Sequence, residues 1–376
     1  MRNFRSPLSR KKEKIFRVLD IGSESVKFLV VKKEDERTII LEKGLKEYER
    51  FGVFDGRDFE LNVMKKTIEI ASKEAKKEDG AEIKNFIVGL PAHIFKARVS
   101  FQEFKRTNPK KLIEKEERER IFRTILEGAK RRVSESFAKE SGILPEELHF
   151  LSERILQIKI DGYEVPEISG FSGKRLGFKI LTTFLPKYYL ENFQKLIKAL
   201  GFKISKILHE SEGLMNFLSK DQNVLFLDIG ADFTQIFLAK KGSLETVSEF
   251  ELGGKNFSLT LCQKLGILYP VAKELSERYQ KGLLEERTRS RLKEIFSREA
   301  QNWLFNLKKA LKGKVFFENI YCLGGGAHYP EIEEVLEENY QLPVKTLDIK
   351  SLPAIEDRTN IENLQFIPAL LLTYAI

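Results

Sequence analysis

The chain has 376 residues, 42% hydrophobic and 32% charged, with 65 Lys and Arg against 56 Asp and Glu, a net charge of +9. That composition supplies a sizeable core, room for two domains or one bilobed enzyme, and excludes global disorder. Cys262 and Cys322 form no CxxC pair and His93, His149, His209 and His328 have no metal-ligand spacing, which excludes a disulfide framework and a zinc site and points to a reducing cytoplasm.

Residues 1–14 form a basic arm, with Arg2, Arg5, Arg10, Lys11, Lys12 and Lys14 around Phe4 and Leu8. No apolar core follows it, so it is not a signal peptide, and no run approaches the roughly 20 apolar residues of a membrane span. The arm reads as a solvated tail; against anionic lipid it would gain about 1 kcal/mol per basic residue. Next comes an apolar strand ending Val18-Leu19-Asp20-Ile21-Gly22-Ser23, and a return strand from Val26 to Val31. A strand at Thr38–Leu41 leads to a helix over 62–77 with Val63, Thr67, Ile70 and Ala71 inward, ended by Asp79-Gly80, and a strand runs from Ile83 to Leu90.

A long helix is expected from Pro109, capped by Asn108, with Ile121, Phe122, Ile125, Leu126, Ala129, Val133 and Phe137 on one face and Gly142 and Pro145 closing it. Strands at 155–160 and 176–183 complete a small α+β unit. Its charges mix both signs without an aromatic stacking module, so no nucleic-acid partner is expected. A helix over Tyr188–Leu200 ends at Gly201, and a short strand spans Lys203–Leu208. Then the early pattern repeats as Val224-Leu225-Phe226-Leu227-Asp228-Ile229-Gly230-Ala231, with a return strand over 236–239. Helices over 257–265 and 285–312 follow, the second presenting Leu292, Phe296, Ala300, Trp303, Leu304, Leu307 and Leu311 as core. The strand Ile320–Leu323 enters Gly324-Gly325-Gly326-Ala327, a helix spans 330–339, and the apolar stretch 366–372 is expected to return into the first lobe.

An Asp after a buried apolar strand is costly unless it faces a cation or ligand. Here strand, Asp-Ile-Gly, turn and return strand occur twice, which predicts a cleft between two related halves. Glycine lets the main chain approach an anion, and turn N–H groups can cradle phosphate oxygens. Asp20 and Asp228 would hold Mg2+ through water. The run Gly324, Gly325, Gly326 would let a flat ligand lie on the backbone. Neither glycine turn opens a helix, so this is not a P-loop or Rossmann fingerprint.

In this order the motifs resemble those of the actin-like ATPases. Asp20 to Lys27 is similar to the family's first phosphate motif, Asp228 to Thr234 to its second, and Gly324 to Pro330 to its adenosine motif. The resemblance implies a bilobed α/β fold built on a duplicated ribonuclease-H-like unit, with Mg-ATP in the cleft. Gly22, Ser23, Ser25, Lys27, Gly230, Ala231, Thr234, Gly253, Gly254, Lys255, Gly324, Gly325, Gly326 and Ala327 would contact nucleotide. Glu210, with Glu212 second, would orient the attacking water.

The segment 158–176, with Asp161-Gly162 and Gly170-Phe171-Ser172-Gly173-Lys174-Arg175-Leu176, resembles the inserted subdomain of FtsA, which tethers FtsZ filaments to membrane, a type shared with PilM of type IV pilus systems. Leu252 to Phe257 and Tyr269 to Glu274 resemble segments common to both. The implied division is 15–82 as the first lobe with 186–221 and 355–376 returning to it, 83–185 as the insertion, and 222–354 as the second lobe with a smaller helical part at 255–312. The implied role is an FtsA-like, self-associating, nucleotide-switched adaptor between FtsZ-type filaments and membrane, cytoplasmic and at most a slow ATPase. Alternatives are a PilM-like pilus-assembly protein bound to an inner-membrane partner and a small-molecule kinase. Three features depart from FtsA: no linker and amphipathic helix follow residue 376, Glu24 and Asp232 stand in turns where small residues are commoner, and Phe233 is bulky.

Overall fold

The computed structural model describes residues 14–35, 37–49, 53–55, 58–75, 86–218, 222–311, 313 and 316–376. The basic arm before Lys14 and the Asp79-Gly80 helix end lie outside the described residues.

Both apolar repeats fold as hairpins, Lys14–Ile21 with Ser25–Glu34 and Val224–Ile229 with Thr234–Lys240. Each hairpin extends into a third antiparallel strand, Arg37–Glu47 or Ser243–Phe250. On its other side each first strand pairs in parallel with a later strand, Phe86–Gly89 or Asn319–Leu323, which pairs with Ile204–Ile207 or Val344–Thr346. The two sheets therefore share one strand order, and Ile355–Asp357 adds a further strand to the first.

The strands read as unbroken apolar runs because both faces are covered. Alternation along them divides the cores. Val18, Leu29, Val224 and Phe226 enter a shared core that also holds Leu370, Leu371 and Leu372 of the helix Ile367–Thr373. Leu19 and Phe28 face the helices Leu61–Glu74 and Lys187–Leu200, whereas Leu225 and Leu227 face Gly254–Leu265, Glu286–Leu311 and Pro330–Tyr340. Trp303 is 1% exposed, as expected of a core residue.

The inserted unit is a four-stranded antiparallel sheet, Lys96–Lys105, Arg175–Pro186, Leu148–Ile160 and Tyr163–Val165, under the helix Lys115–Ser141. The strand Phe86–Gly89 belongs to the first lobe's sheet, so this unit begins at 96 rather than 83. The first of its strands was not anticipated. Its helix also starts six residues later than Pro109, because backbone pairing claims the preceding segment. Ile113 N donates to Phe171 O at 2.8 Å, Gly170 N donates to Ile113 O at 3.0 Å, and buried Arg106 Nη2 donates to Lys111 O at 2.9 Å.

One helix face is also corrected. In Leu61–Glu74 the buried residues are Met64, Thr67, Ile68, Ala71 and Ser72, while Val63 and Ile70 are half-buried. Gly44 decides this: a Cβ there would stand 2.0 Å from Ala71 O, so the helix lies against the strand on its Ala71 face.

Candidate functional site: a cleft between two acidic hairpins

Asp20 and Asp228 occupy equivalent strand-end positions. Across the hairpin Asp20 faces Lys27 and Asp228 faces Gln235. Each turn closes with the same bond, Gly22 N to Ser25 O and Gly230 N to Phe233 O, both at 2.9 Å. The turns face one cavity, lined by Asp20, Gly22, Ser23, Ser25 and Lys27 from one side and by Asp228, Gly230, Ala231, Gly254 and Lys255 from the other. Gly324, Gly325 and Gly326 line it as well, as does Glu210.

The glycines have separate causes. A Cβ on Gly324, at φ +83°, would stand 2.2 Å from Asp228 Oδ1, and one on Gly326 would stand 2.3 Å from Ile229 Cγ2. Gly324 and Gly326 are glycine because they cross the second hairpin at contact distance, whereas a Cβ on Gly325 would stand 3.0 Å from Gln365 Cγ. Gly253 does not line the cavity; a Cβ there would meet Ala231 O at 2.4 Å, where the helix Gly254–Leu265 docks through Gly254 N to Gly230 O at 2.8 Å.

Lys27 Nζ lies 3.3 Å from Asp20 Oδ2, both side chains nearly buried. Asp228 Oδ1 and Glu210 Oε2 are buried without a hydrogen-bond partner, and Glu210 Oε1 accepts from Gln235 Nε2. Burial pushes Asp228 up to about 7, the Lys27 charge only partly opposing it. Burial and the neighbouring charges of Asp228 and Asp20 push Glu210 well above the ordinary carboxylate range. The Asp228 and Glu210 carboxyl groups lie against each other with no cationic side chain among the described residues on the two buried oxygens, a crowding of acid that a hydrated divalent cation carrying an anion would relieve. Among the described residues no group of three or more His, Cys, Asp or Glu is arranged to hold a metal directly.

Besides Gly253, three expected contacts point elsewhere. Thr234 is fully buried; its Oγ1 donates to Leu252 O at 2.6 Å and accepts from Trp303 Nε1 at 2.9 Å, so it braces the hairpin. Glu212 Oε1 accepts from His209 N at 3.3 Å and its Oε2 from Ser152 Oγ at 3.2 Å, a helix cap directed at the inserted sheet. Ala327 packs with the second lobe's outer core. Sequence reasoning missed Gln235, Gln365, Tyr269, Lys273, Ser276, Glu277 and Gln280, all lining the cavity. Residues 269, 273, 276 and 280 share a helical spacing that could have signalled one cleft-facing stripe. The departures in the turns are compensated: Lys255 Nζ is 2.9 Å from Asp232 Oδ1, Lys273 Nζ is 2.9 Å from Glu24 Oε1, and Phe233 stacks on His93 at 5.7 Å.

No family model matches the chain. Among curated proteins it is 24% identical over 360 residues to the cell division protein FtsA of Streptococcus pneumoniae, covering 89% of this chain and 75% of that one. It is 23% identical to FtsA of Enterococcus hirae, covering 87% and 76%. Among solved structures, a chain of a PilM-PilN type IV pilus biogenesis complex superposes with a TM-score of 0.68 at 14% identity, covering 95% of this chain and 98% of that one. The chain has the actin-like ATPase fold and is similar in sequence to FtsA. The ethanolamine utilization protein EutJ from Carboxydothermus hydrogenoformans, with a TM-score of 0.51 at 11% identity over 99% of this chain and 92% of its own, shares the fold. In this actin-like ATPase fold the cleft lies between the duplicated sheets, where the two acidic turns meet.

Proposed function

We propose that the cleft binds Mg-ATP and that the protein acts as an FtsA-like, nucleotide-switched adaptor that self-associates and links FtsZ-type filaments to membrane. The observation that carries the nucleotide reading is the meeting of Asp20 and Asp228, at matched positions of a repeated hairpin, in one cavity with Lys27 and the glycine turns. Asp20 and Asp228 would hold the hydrated cation, and Lys27 with the turn N–H groups of Ser23, Glu24 and Ala231 would bind phosphate, those of Gly22 and Gly230 being taken by the turn-closing bonds. Bound Mg2+ would neutralise phosphate charge. Gln235 fixes one oxygen of Glu210, whose carboxyl group lies against that of Asp228. Glu210 would orient the attacking water, and hydrolysis is expected to be slow at most. Nucleotide acts as a switch only if the open and closed lobes differ in their affinity for it.

The adaptor reading rests on the FtsA relatives, which match most of the chain. Among the described residues no helix is long and apolar enough to cross a membrane. Calorimetry with Mg-ATP and phosphate release, on the parent and Asp228→Ala, tests the cleft; unchanged affinity and turnover in the variant would sink it. Negative-stain microscopy with Mg-ATP tests the adaptor. Filaments, and binding to an FtsZ-type filament protein, are expected. A monomer that binds only a pilus inner-membrane protein's cytoplasmic peptide would replace this reading with the PilM-like one, and phosphoryl transfer to a sugar or acid would replace both with a kinase.

A further inference from the structure

Glu24 and Glu47 belong to the first lobe, in the hairpin turn and at the end of the strand Arg37–Glu47. Tyr269 and Lys273 stand one turn apart on the second lobe's helix Tyr269–Gln280. All four line the cavity. Lys273 Nζ donates to Glu24 Oε1 at 2.9 Å and to Glu47 Oε2 at 2.6 Å, and Tyr269 Oη donates to Glu24 Oε1 at 3.0 Å. The Lys273 and Glu24 side chains are 21% and 29% exposed, so water screens this bridge only in part.

Each half of the bridge is anchored in its own lobe. Tyr48 N donates to Glu24 O at 3.0 Å and Tyr48 Oη to Gly22 O at 3.2 Å, which holds the turn that carries Glu24. Ser258 Oγ donates to Ser276 Oγ at 2.9 Å, which ties the Lys273 helix to its neighbour. Separating the lobes therefore breaks the bridge rather than either anchor. Breaking it would also leave Glu24 and Glu47 facing a polyphosphate without their cation.

We propose that Tyr269 and Lys273, with Glu24 and Glu47, form a cross-cleft clasp that must open for a ligand to enter or leave, so that it sets the rate of nucleotide exchange. The exchange part rests on the nucleotide reading above; the clasp itself does not. The site thereby holds a closed state before ligand arrives, and partners that pull on the helix Tyr269–Gln280 would speed release.

Two measurements separate these parts. Spin labels at Asn62→Cys and Glu285→Cys, in a Cys262→Ser background, report the distance between lobes without nucleotide by double electron–electron resonance. Lys273→Met is expected to lengthen and broaden that distribution, with Tyr269→Phe and Glu47→Gln intermediate. A fluorescent ATP analogue should leave Lys273→Met at least about tenfold faster than the parent in stopped flow. The double variant Glu24→Gln/Lys273→Met should stay fast; a return to the parent rate would mean that Lys273 only neutralises Glu24, and the clasp would be wrong. An unchanged distance distribution in Lys273→Met, folded by circular dichroism, overturns it too. If the parent binds no analogue, the nucleotide reading fails and the distances alone decide the clasp.

Discussion

Asp228 and Thr234 show how neighbouring residues of one motif divide between site and scaffold. Asp228 keeps a buried, unpartnered oxygen in the cleft, whereas both hydrogen-bonding roles of the Thr234 hydroxyl are taken inside the protein. Asp228→Asn should therefore weaken Mg-ATP binding at least about tenfold in calorimetry while leaving the fold intact, because it removes a charge that folding pushes toward neutrality anyway. Thr234→Val should do the reverse, costing about 1–3 kcal/mol in urea unfolding because two buried partners lose their hydrogen bonds, with nucleotide affinity little changed. Asp20 and Asp228 were legible as residues because a strand-end charge after an apolar run is conspicuous, whereas Lys27 was legible only through the resemblance of Asp20 to Lys27 to a phosphate motif. Thr234 misled because its chemistry suits phosphate equally well, and only the position of Trp303, 69 residues away in sequence, claims it.

At the scale of elements, two junctions carry measurable weight. The helices Glu210–Phe217 and Ile367–Thr373 cross so closely that a Cβ on Gly213 would stand 1.7 Å from Leu371 O. Gly213→Ala should thus lose at least about 2 kcal/mol in chemical denaturation. The inserted sheet joins the second lobe through Arg98, whose Nη1 and Nη2 donate to Glu249 at 2.7 and 3.0 Å, with Lys96 Nζ 2.7 Å from the same carboxylate. Burial alone would raise Glu249, but Arg98 and Lys96 outweigh it and hold it down to about 2. Burial pulls Lys96 itself down, so the two-pronged Arg98 contact is the stabilising part. A carboxylate depressed by folding adds stability above its unfolded value, near 4.5, and loses it as pH falls through about 2. Acid titration of unfolding should show that loss in the parent, up to about 3 kcal/mol, and a flatter profile in Glu249→Gln. Helix periodicity located most elements but misplaced the start at Pro109 and the face at Val63, because pairing with Phe171 and the absence of a side chain on Gly44 are long-range facts.

For the whole molecule, a ligand that binds the closed cleft raises stability by mass action. Mg-ATP at about a hundred times its dissociation constant should add about 2.7 kcal/mol, read as a higher midpoint in thermal unfolding, and Asp228→Ala should abolish the increase; no increase in the parent would remove nucleotide from the account. The sequence by itself determined that the chain contains two copies of one strand-turn-strand unit, because period, glycine and acid recur within a few neighbouring residues and need no partner to be read. It also determined the glycine run and the apolar C-terminal segment, which are local in the same sense. What only the tertiary structure decided is that both acidic turns open on one cavity, that Glu210 faces it while Glu212 caps a helix, and that Lys273 reaches across to Glu24. These depend on how two sheets with one strand order stack about a shared core, and burial, approach distance and charge pairing between segments hundreds of residues apart exist only once they have packed.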